Sequence, residues 1–458
     1  MDGARRWAEE QWSECCLGDQ RRTRRAVEVG ARMAASSDQS LPKQMAGMAD
    51  LKAAYRLLDC EDVTLEALTE PHRRHVYRAA AYRRAPVLFV QDQTFLDFSR
   101  HPAVEGIGVI GSPYPDGPMN RGLVAQTCLA VAPDPVGRTI LGLAALTVTT
   151  REQVRKSAET KTQRQARRNE SELWFGTLQA IGKPPEGAVW ISVGDRGSDI
   201  FHYFRQAADA GWHVLSRLCQ DRLVEEIDAL GDPHSLLFAL RNRAPMANQT
   251  VERPAAGARP VRLDLSISWL PVRVQPPCTG PWRKAEPLAC WLVRAWSGDI
   301  EWLLLSTVPV EDADAAAEVV RWYGYRWLVE EYHRALKTGC RYEHSQLRSR
   351  ERLLALLGFL SVVAVRLLTV RDAARTRPLT PAVNLVPVLL VRLVAAHFGL
   401  EAADLTISEF SRRVAMVGGF LGRKGDGEPG WQTLWKGWVE VLQWYQGALL
   451  MKAIARCG

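Results

Sequence analysis

The stretch Tyr323-Gly-Tyr-Arg326-Trp-Leu-Val-Glu330-Glu-Tyr-His-Arg-Ala-Leu-Lys337 spaces a phenol, two cations and a carboxylate in a way that suits phosphate chemistry. On a helix advancing about 100° per residue, Tyr323, Arg326, Glu330 and Lys337 fall within an arc of roughly 60° along roughly 20 Å of axis. Leu328, Val329, Tyr332 and Leu336 take the opposite side and are expected to face a core. A hard divalent metal asks for carboxylate oxygens, and phosphate oxygens ask for cations and neutral donors. Arg offers a fork, Lys a point charge and Tyr a hydroxyl. The same residues also fit a solvated face, with Glu330 paired to Arg326 and Arg334 at i,i+4 spacing. Two further acids, Asp92 and Asp195, each follow a short apolar run. In open α/β sheets, catalytic groups collect at the carboxyl ends of strands, although an Asp in that place also serves as a turn or cap residue.

Strands must therefore deliver the two aspartates. Ala85 to Val90 reads as a buried strand ending at Gln91-Asp92. Leu123 to Val131 and Thr139 to Val148 follow, separated by a turn signal from Pro133 to Gly137. A long basic helix is expected over about 151–181. Then comes the strand Ala188 to Val193, closing on Gly194-Asp195-Arg196-Gly197-Ser198-Asp199. Asp199 is expected to cap a helix starting near Ile200, and Asp97 is read as structural. His213 to Ser216 forms a strand leading to Arg217. Within 219–300 prolines are frequent, and Val261, Leu263, Leu265, Ile267 and Trp269 alternate with polar residues, the period of a half-buried antiparallel strand. Trp302 to Ser306 resumes the buried-strand pattern, and one helix is expected from about Ala313 to a stop at Gly339. Residues 1–80 read as helices, with Gly18-Asp19 supplying a stop and a fresh cap. Residues 351–458 also read as helical, broken by a loop from Gly418 to Gly430.

Composition narrows the function classes. The chain has 458 residues, 47% hydrophobic and 24% charged, which excludes disorder as its main state. The longest uncharged apolar run, Leu353 to Val365, is too short to span a bilayer and is expected to be a core helix. No apolar leader follows Met1, and nine cysteines without CxxC spacing point to reduced cytoplasmic thiols, not a disulfide framework or zinc site. His72 and His75 lie three apart with no cysteine pair to complete a metal cage. The net charge of +8 favours a polyanionic partner, with basic clusters at Arg21 to Arg25, Arg73 to Arg84, Arg151 to Arg168 and Arg321 to Arg352.

The pattern Tyr-x-x-Arg-x-x-x-Glu-x6-Lys, with Asp92 and Asp195 upstream, resembles the bacterial cut-and-paste DDE transposases of the insertion-sequence-four group, to which the transposon-five transposase belongs. Further resemblance lies in Leu17-Gly-Asp-Gln-Arg-Arg-Thr23, Trp302-Leu-Leu-Leu, Thr338-Gly339 and Val363-Ala-Val-Arg-Leu-Leu368. It implies an α/β, RNase H-like catalytic core carrying a β-rich insertion at about 219–300, flanked by helical N- and C-terminal domains. The expected divisions are 1–80 for DNA-end binding, 81–370 for catalysis and 371–458 for dimerisation. The resemblance makes Asp92, Asp195 and Glu330 the triad for two Mg²⁺ ions, with Mn²⁺ able to substitute.

On the same footing, Tyr323, Arg326, Lys337 and Arg217 would bind DNA phosphates. Trp302 would stack a flipped base, and Arg22 and Arg25 would recognise transposon ends. Trp302 equally fits a core aromatic. Leu336 stands where the transposon-five transposase has an aromatic. The partners implied are duplex DNA, both transposon ends and target, and a second copy of the chain in a synaptic dimer. Trp431, Leu434, Trp435, Trp438 and Leu442 recur at helical spacing near that expected interface, and they equally suit an intramolecular core. The expected activity is metal-dependent cleavage of transposon ends through a 3′-hydroxyl and a hairpin, followed by strand transfer. A catalytically silent DNA-binding regulator is the alternative, though it has no use for three mutually repelling acids. A two-carboxylate glycosidase does not call for cations on the acid's own helix face.

Overall fold

The computed structural model describes residues 2–457 apart from 112–116, 118, 135–136, 152–170, 228–233, 236–237, 239–240, 242, 254–260 and 424. Five N-terminal helices come first: α1 (Asp2–Trp12), α2 (Gln20–Ala35), α3 (Leu41–Gln44), α4 (Met48–Leu58) and α5 (Leu65–Ala81). Asp19 caps α2 as its sequence suggests, accepting from the Arg21 amide at 2.7 Å. Trp12 is fully buried against Phe359, their rings 5.4 Å apart. A Cβ on Gly30 would lie 2.3 Å from the Trp12 ring, so a glycine lets α1 and α2 touch there. His72 on α5 is also structural. Its Nε2 accepts from the Leu143 amide at 3.0 Å and its Nδ1 meets Gln11 Oε1 at 2.7 Å. Burial first, then His75, pushes His72 down to about 4, which keeps the ring neutral for that bridge. The N-terminal helices thus share a core with the sheet instead of enclosing one of their own.

The sheet has 12 described strands. β1 (Val87–Asp97), β2 (Gly108–Gly111), β3 (Asn120–Asp134) and β4 (Gly137–Thr149) are followed by α6 (Glu172–Ile181), β5 (Trp190–Gly194), α7 (Phe201–Asp209) and β6 (His213–Arg217). β1, β3 and β4 form an antiparallel meander, and β1, β5 and β6 pair in parallel. A meander continued by two parallel strands is the RNase H-like arrangement. Helices cover both faces, which explains the unbroken apolar run in β1. Leu88 and Val90 enter one core, Val87 and Phe89 the other. The basic helix expected at 151–181 is described only in its final part, α6; 152–170 lie outside the described residues.

The stretch expected to be β-rich contains β7 (Leu223–Glu226), β8 (His234–Ser235), β9 (Ala247–Arg253), β10 (Val261–Val274) and β11 (Leu288–Ser297), and β12 (Ile300–Ser306) follows. These strands continue the main sheet, because β12 pairs antiparallel with β6 and then with β11. Leu265 and Ile267 on β10 are buried, as the alternation predicts.

Beyond the sheet run α8 (Ala313–Gly324), α9 (Trp327–Arg334), α10 (Arg350–Thr376), α11 (Val388–Phe398), α12 (Ile407–Val417) and α13 (Trp431–Cys457). The single helix expected over 313–339 is in fact broken twice. At Tyr325 and Arg326 the amides bond three residues back, to Trp322 and Tyr323, which tightens the turn between α8 and α9. After Arg334 the chain widens into a π turn, Ala335–Gly339, where the Cys340 amide reaches back to Ala335. α10 is long and apolar enough to pass for a membrane span by composition. However, 72% of its apolar window is buried inside the protein, as a core helix requires. Leu442 joins the C-terminal core, with Leu434 and Trp438 packed against it, while the Trp435 ring lies over Gly339.

Candidate active site

The strand register brings the two aspartates together. β1 and β5 run parallel with Val90 opposite Val193, so two residues further on Asp92 stands beside Asp195. β1 does not end at Asp92 as expected. Pairing with β3 carries it on to Asp97, whose partner is Gly122, while β5 stops at Gly194. Asp92 therefore sits inside a strand, at the place where its parallel neighbour runs out and one flank opens. Asp97 is structural, accepting from Ser99 N at 2.8 Å and Asn120 Nδ2 at 3.0 Å.

α9 brings the third acid. Its buried side is Leu328, Val329 and Tyr332, which turns Glu330 outward to 28% side-chain exposure. Arg326 sits at the break before α9 and joins the acids. Nη1 donates to Asp92 Oδ2 at 3.3 Å, and Nη2 pairs with Glu330. Asp92 Oδ1 accepts from the Gln93 amide at 2.8 Å, and Asp195 Oδ1 from the Gly197 amide at 2.8 Å. Burial, then Asp195, and more weakly Glu330 raise the Asp92 carboxyl to about 6 against the opposing pull of Arg326. Both neighbouring acids thus act on Asp92.

Among the described residues, no three acids, histidines or cysteines stand together as a ready metal cage. Instead the Arg326 guanidinium lies between Asp92 and Glu330, a cation of the protein set among the carboxylates. The donor set itself fits Mg²⁺: all oxygen, anionic, and open on one side.

The phosphate-binding candidates divide. Tyr323 is buried at the Trp302 edge, ring centroids 5.3 Å apart, and its hydroxyl is within reach of Arg217. Arg217, at the end of β6, donates to the Glu301 carbonyl at 2.9 Å. Trp302 is half-buried on β12, so it is not a fully enclosed core aromatic. These residues and Arg326 line one cleft of about 600 Å³. Lys337 sits apart from them, on the π turn. Its Nζ donates to the Phe95 carbonyl at 2.5 Å and stands 3.5 Å from Glu343 Oε1. Arg22 and Arg25 lie on α2 and are engaged elsewhere, Arg22 with Asp62 at 2.5 Å and Arg25 with Glu28 at 2.8 Å.

Asp199 needs correcting. It does not cap α7, whose N-cap is Ile200 with no side-chain bond. Its buried carboxylate instead accepts from the Cys219 and Gln220 amides at 2.7 and 2.8 Å and pairs with Arg222 at 2.6 Å, fixing the loop that follows Arg217. Sequence reading also missed Arg138, which lines the large cleft together with Arg321 of the expected basic cluster. Arg138 lies 4.9 Å over the Tyr325 ring and pairs with Asp372 at 2.6 Å. At a hairpin end it gave no signal beyond a basic residue after a turn.

The fold is an RNase H-like sheet that sets Asp92 beside Asp195, with Glu330 linked to Asp92 through Arg326. Comparison with known families narrows this. Residues 4–63 match the family model described as Transposase DNA-binding, 149–366 match Transposase DDE domain, and 402–458 match Transposase Tn5 dimerisation domain. The chain belongs to the Tn5-like DDE transposases. The DDE match takes in Asp195 and Glu330, and the sheet register adds Asp92. Among solved structures, the cryo-EM structure of the piggyBac transposase synaptic complex with hairpin DNA is similar over 86% of this chain and 70% of that one. The identity is 11% and the TM-score 0.36.

Proposed function

We propose that this DDE transposase cuts transposon ends and joins them to target DNA at Asp92, Asp195 and Glu330. The supporting observation is that the strand register sets Asp92 beside Asp195 while the Arg326 guanidinium joins Asp92 to Glu330. Two divalent ions, Mg²⁺ with Mn²⁺ as a substitute, would supply activation of the attacking oxygen and stabilisation of the leaving one. The three carboxylates would hold them once Arg326 swings from Asp92 and Glu330 to a phosphate. Arg217 and Tyr323 would take neighbouring phosphate oxygens, and Lys337 the backbone near the end of β1. Trp302, half-exposed in the cleft, would receive a base rotated out of the stack, returning about 1–3 kcal/mol of the cost.

In this reading water attacks first and frees a 3′-hydroxyl. That hydroxyl attacks the opposite strand to form a hairpin, which is hydrolysed, and the regenerated hydroxyl attacks the target. Arg22 and Arg25 would read the transposon ends after exchanging their present acidic partners for phosphates. Residues 402–458 would pair two protomers across the ends. Glu330→Ala should lower cleavage at least about a thousandfold, roughly 4 kcal/mol of barrier, while end binding persists. Gel assays of cleavage and binding on the same DNA check this, and wild-type nicking by the variant would refute the assignment.

A further inference from the structure

A second cleft of about 340 Å³ lies behind Arg217, lined by Arg196, Arg217, Gln220, Cys219, Arg241 and Glu301. Three guanidinium groups face one carboxylate there, and that carboxylate is already shared. Glu301 accepts from Arg241 at 3.1 Å and from Arg294 at 2.8 Å. Burial alone would raise its carboxyl, but these two partners hold it below the usual range, so it stays ionised and saturated. Arg196 is exposed, and its guanidinium makes no hydrogen bond or ion pair among the described residues. Arg196 also directly follows Asp195, and Arg217 lines both clefts. Guanidinium groups therefore stand in both clefts, with Arg217 common to the two and Arg241 on the far side paired to Glu301. A small anion would need one such pocket; a chain of phosphates would use both.

We propose that the cleft of Arg196 and Arg241 is a second phosphodiester-backbone subsite, which holds the DNA strand where it continues past the carboxylates. The proposal rests on the reading of the protein as a transposase. Two sources offer this chemistry, the donor DNA flanking the cleaved end and the incoming target. Arg196 has no side-chain partner among the described residues, and Arg241 is 54% exposed, so Arg196→Ala and Arg241→Ala should both fold.

The test uses the full chain and a labelled end duplex taken from the inverted repeats beside the coding region, with and without flanking DNA. A third arm adds an unrelated duplex to the complex with the trimmed end. Each lost phosphate contact flattens the slope of log affinity against log salt by about 0.9. Each variant should show that loss, and Arg241→Lys should restore most of it. Loss confined to the flanked duplex assigns the cleft to donor DNA. Loss confined to capture of the unrelated duplex assigns it to target. Unchanged slopes in every arm overturn the subsite. Arg326→Ala is the control. If it flattens the slope while Arg196→Ala and Arg241→Ala do not, the subsite fails and the transposase reading stands. If wild type binds no duplex, both fail.

Discussion

At the residue scale, Asp92 pays for its position. Its carboxyl, ordinarily near 3.8, is raised to about 6 by burial and by Asp195. Below the unfolded value the group is protonated in both states and costs nothing. Between that value and about 6 the unfolded chain ionises freely while the folded protein keeps the proton, so stability falls across this window and stays low above it, where the folded protein carries a buried charge. The difference is on the order of 3 kcal/mol. Asp92→Asn should therefore raise the melting temperature in EDTA at pH 7 to 8, with the advantage fading towards pH 4. Calorimetry across that range reads it, and an Asn variant less stable than wild type at pH 8 would count against the crowding of these acids. Both aspartates were legible in the sequence because buried strands announce themselves as apolar runs. That they stand side by side was not, because register is a long-range property that neither strand contains.

At the element scale, the face drawn on one ideal helix survives only in part. Leu328, Val329, Tyr332 and Leu336 are buried as their spacing predicts. The turn at Tyr325 and Arg326 and the π turn after Arg334 alter the rest, placing Arg326 between two carboxylates and Lys337 at the Phe95 carbonyl. A periodicity argument assumes a constant twist and cannot see either defect. The C-terminal pair shows the opposite case, a contact set by two glycines. A Cβ on Gly437 of α13 would lie 1.6 Å from the Val414 carbonyl oxygen and 2.8 Å from the Gly418 amide, so α12 and α13 touch backbone to backbone. Gly437→Ala must push them apart, at a cost of about 1–3 kcal/mol. Limited proteolysis should then cut the 402–458 region faster; unchanged protection would show that the helices separate without penalty.

At the scale of the whole molecule, one sheet joins regions that the first two family matches divide, and the third packs in a core of its own. N-terminal helices, strands and α10 share a core, and β7 to β11 extend the sheet that holds Asp92 and Asp195. No core of their own sets residues 1–80 apart, since composition does not show which helices lie on a common sheet, whereas the C-terminal helices gather a separate core running from Ala373 to Tyr445. α9 is fixed to α10 by Glu331, whose carboxylate pairs with the buried Arg371 and lies 3.8 Å from Arg375. Glu331→Ala strips the Arg371 guanidinium of that carboxylate and should cost about 3–5 kcal/mol. Denaturant unfolding measures the loss, and a cost below about 1 kcal/mol would mean that α9 is held by its apolar face alone.

If Asp92, Asp195 and Glu330 share one ion site, a cleaving ion bound there reports all three. Fe²⁺ substituted for Mg²⁺, with ascorbate and peroxide, releases radicals that cut the polypeptide around the bound ion, and mass spectrometry locates the cuts. Cuts are expected near 92, near 195 and near 330 together, suppressed by excess Mg²⁺ and lost in Glu330→Ala. A pattern lacking any one of those segments would contradict the shared site.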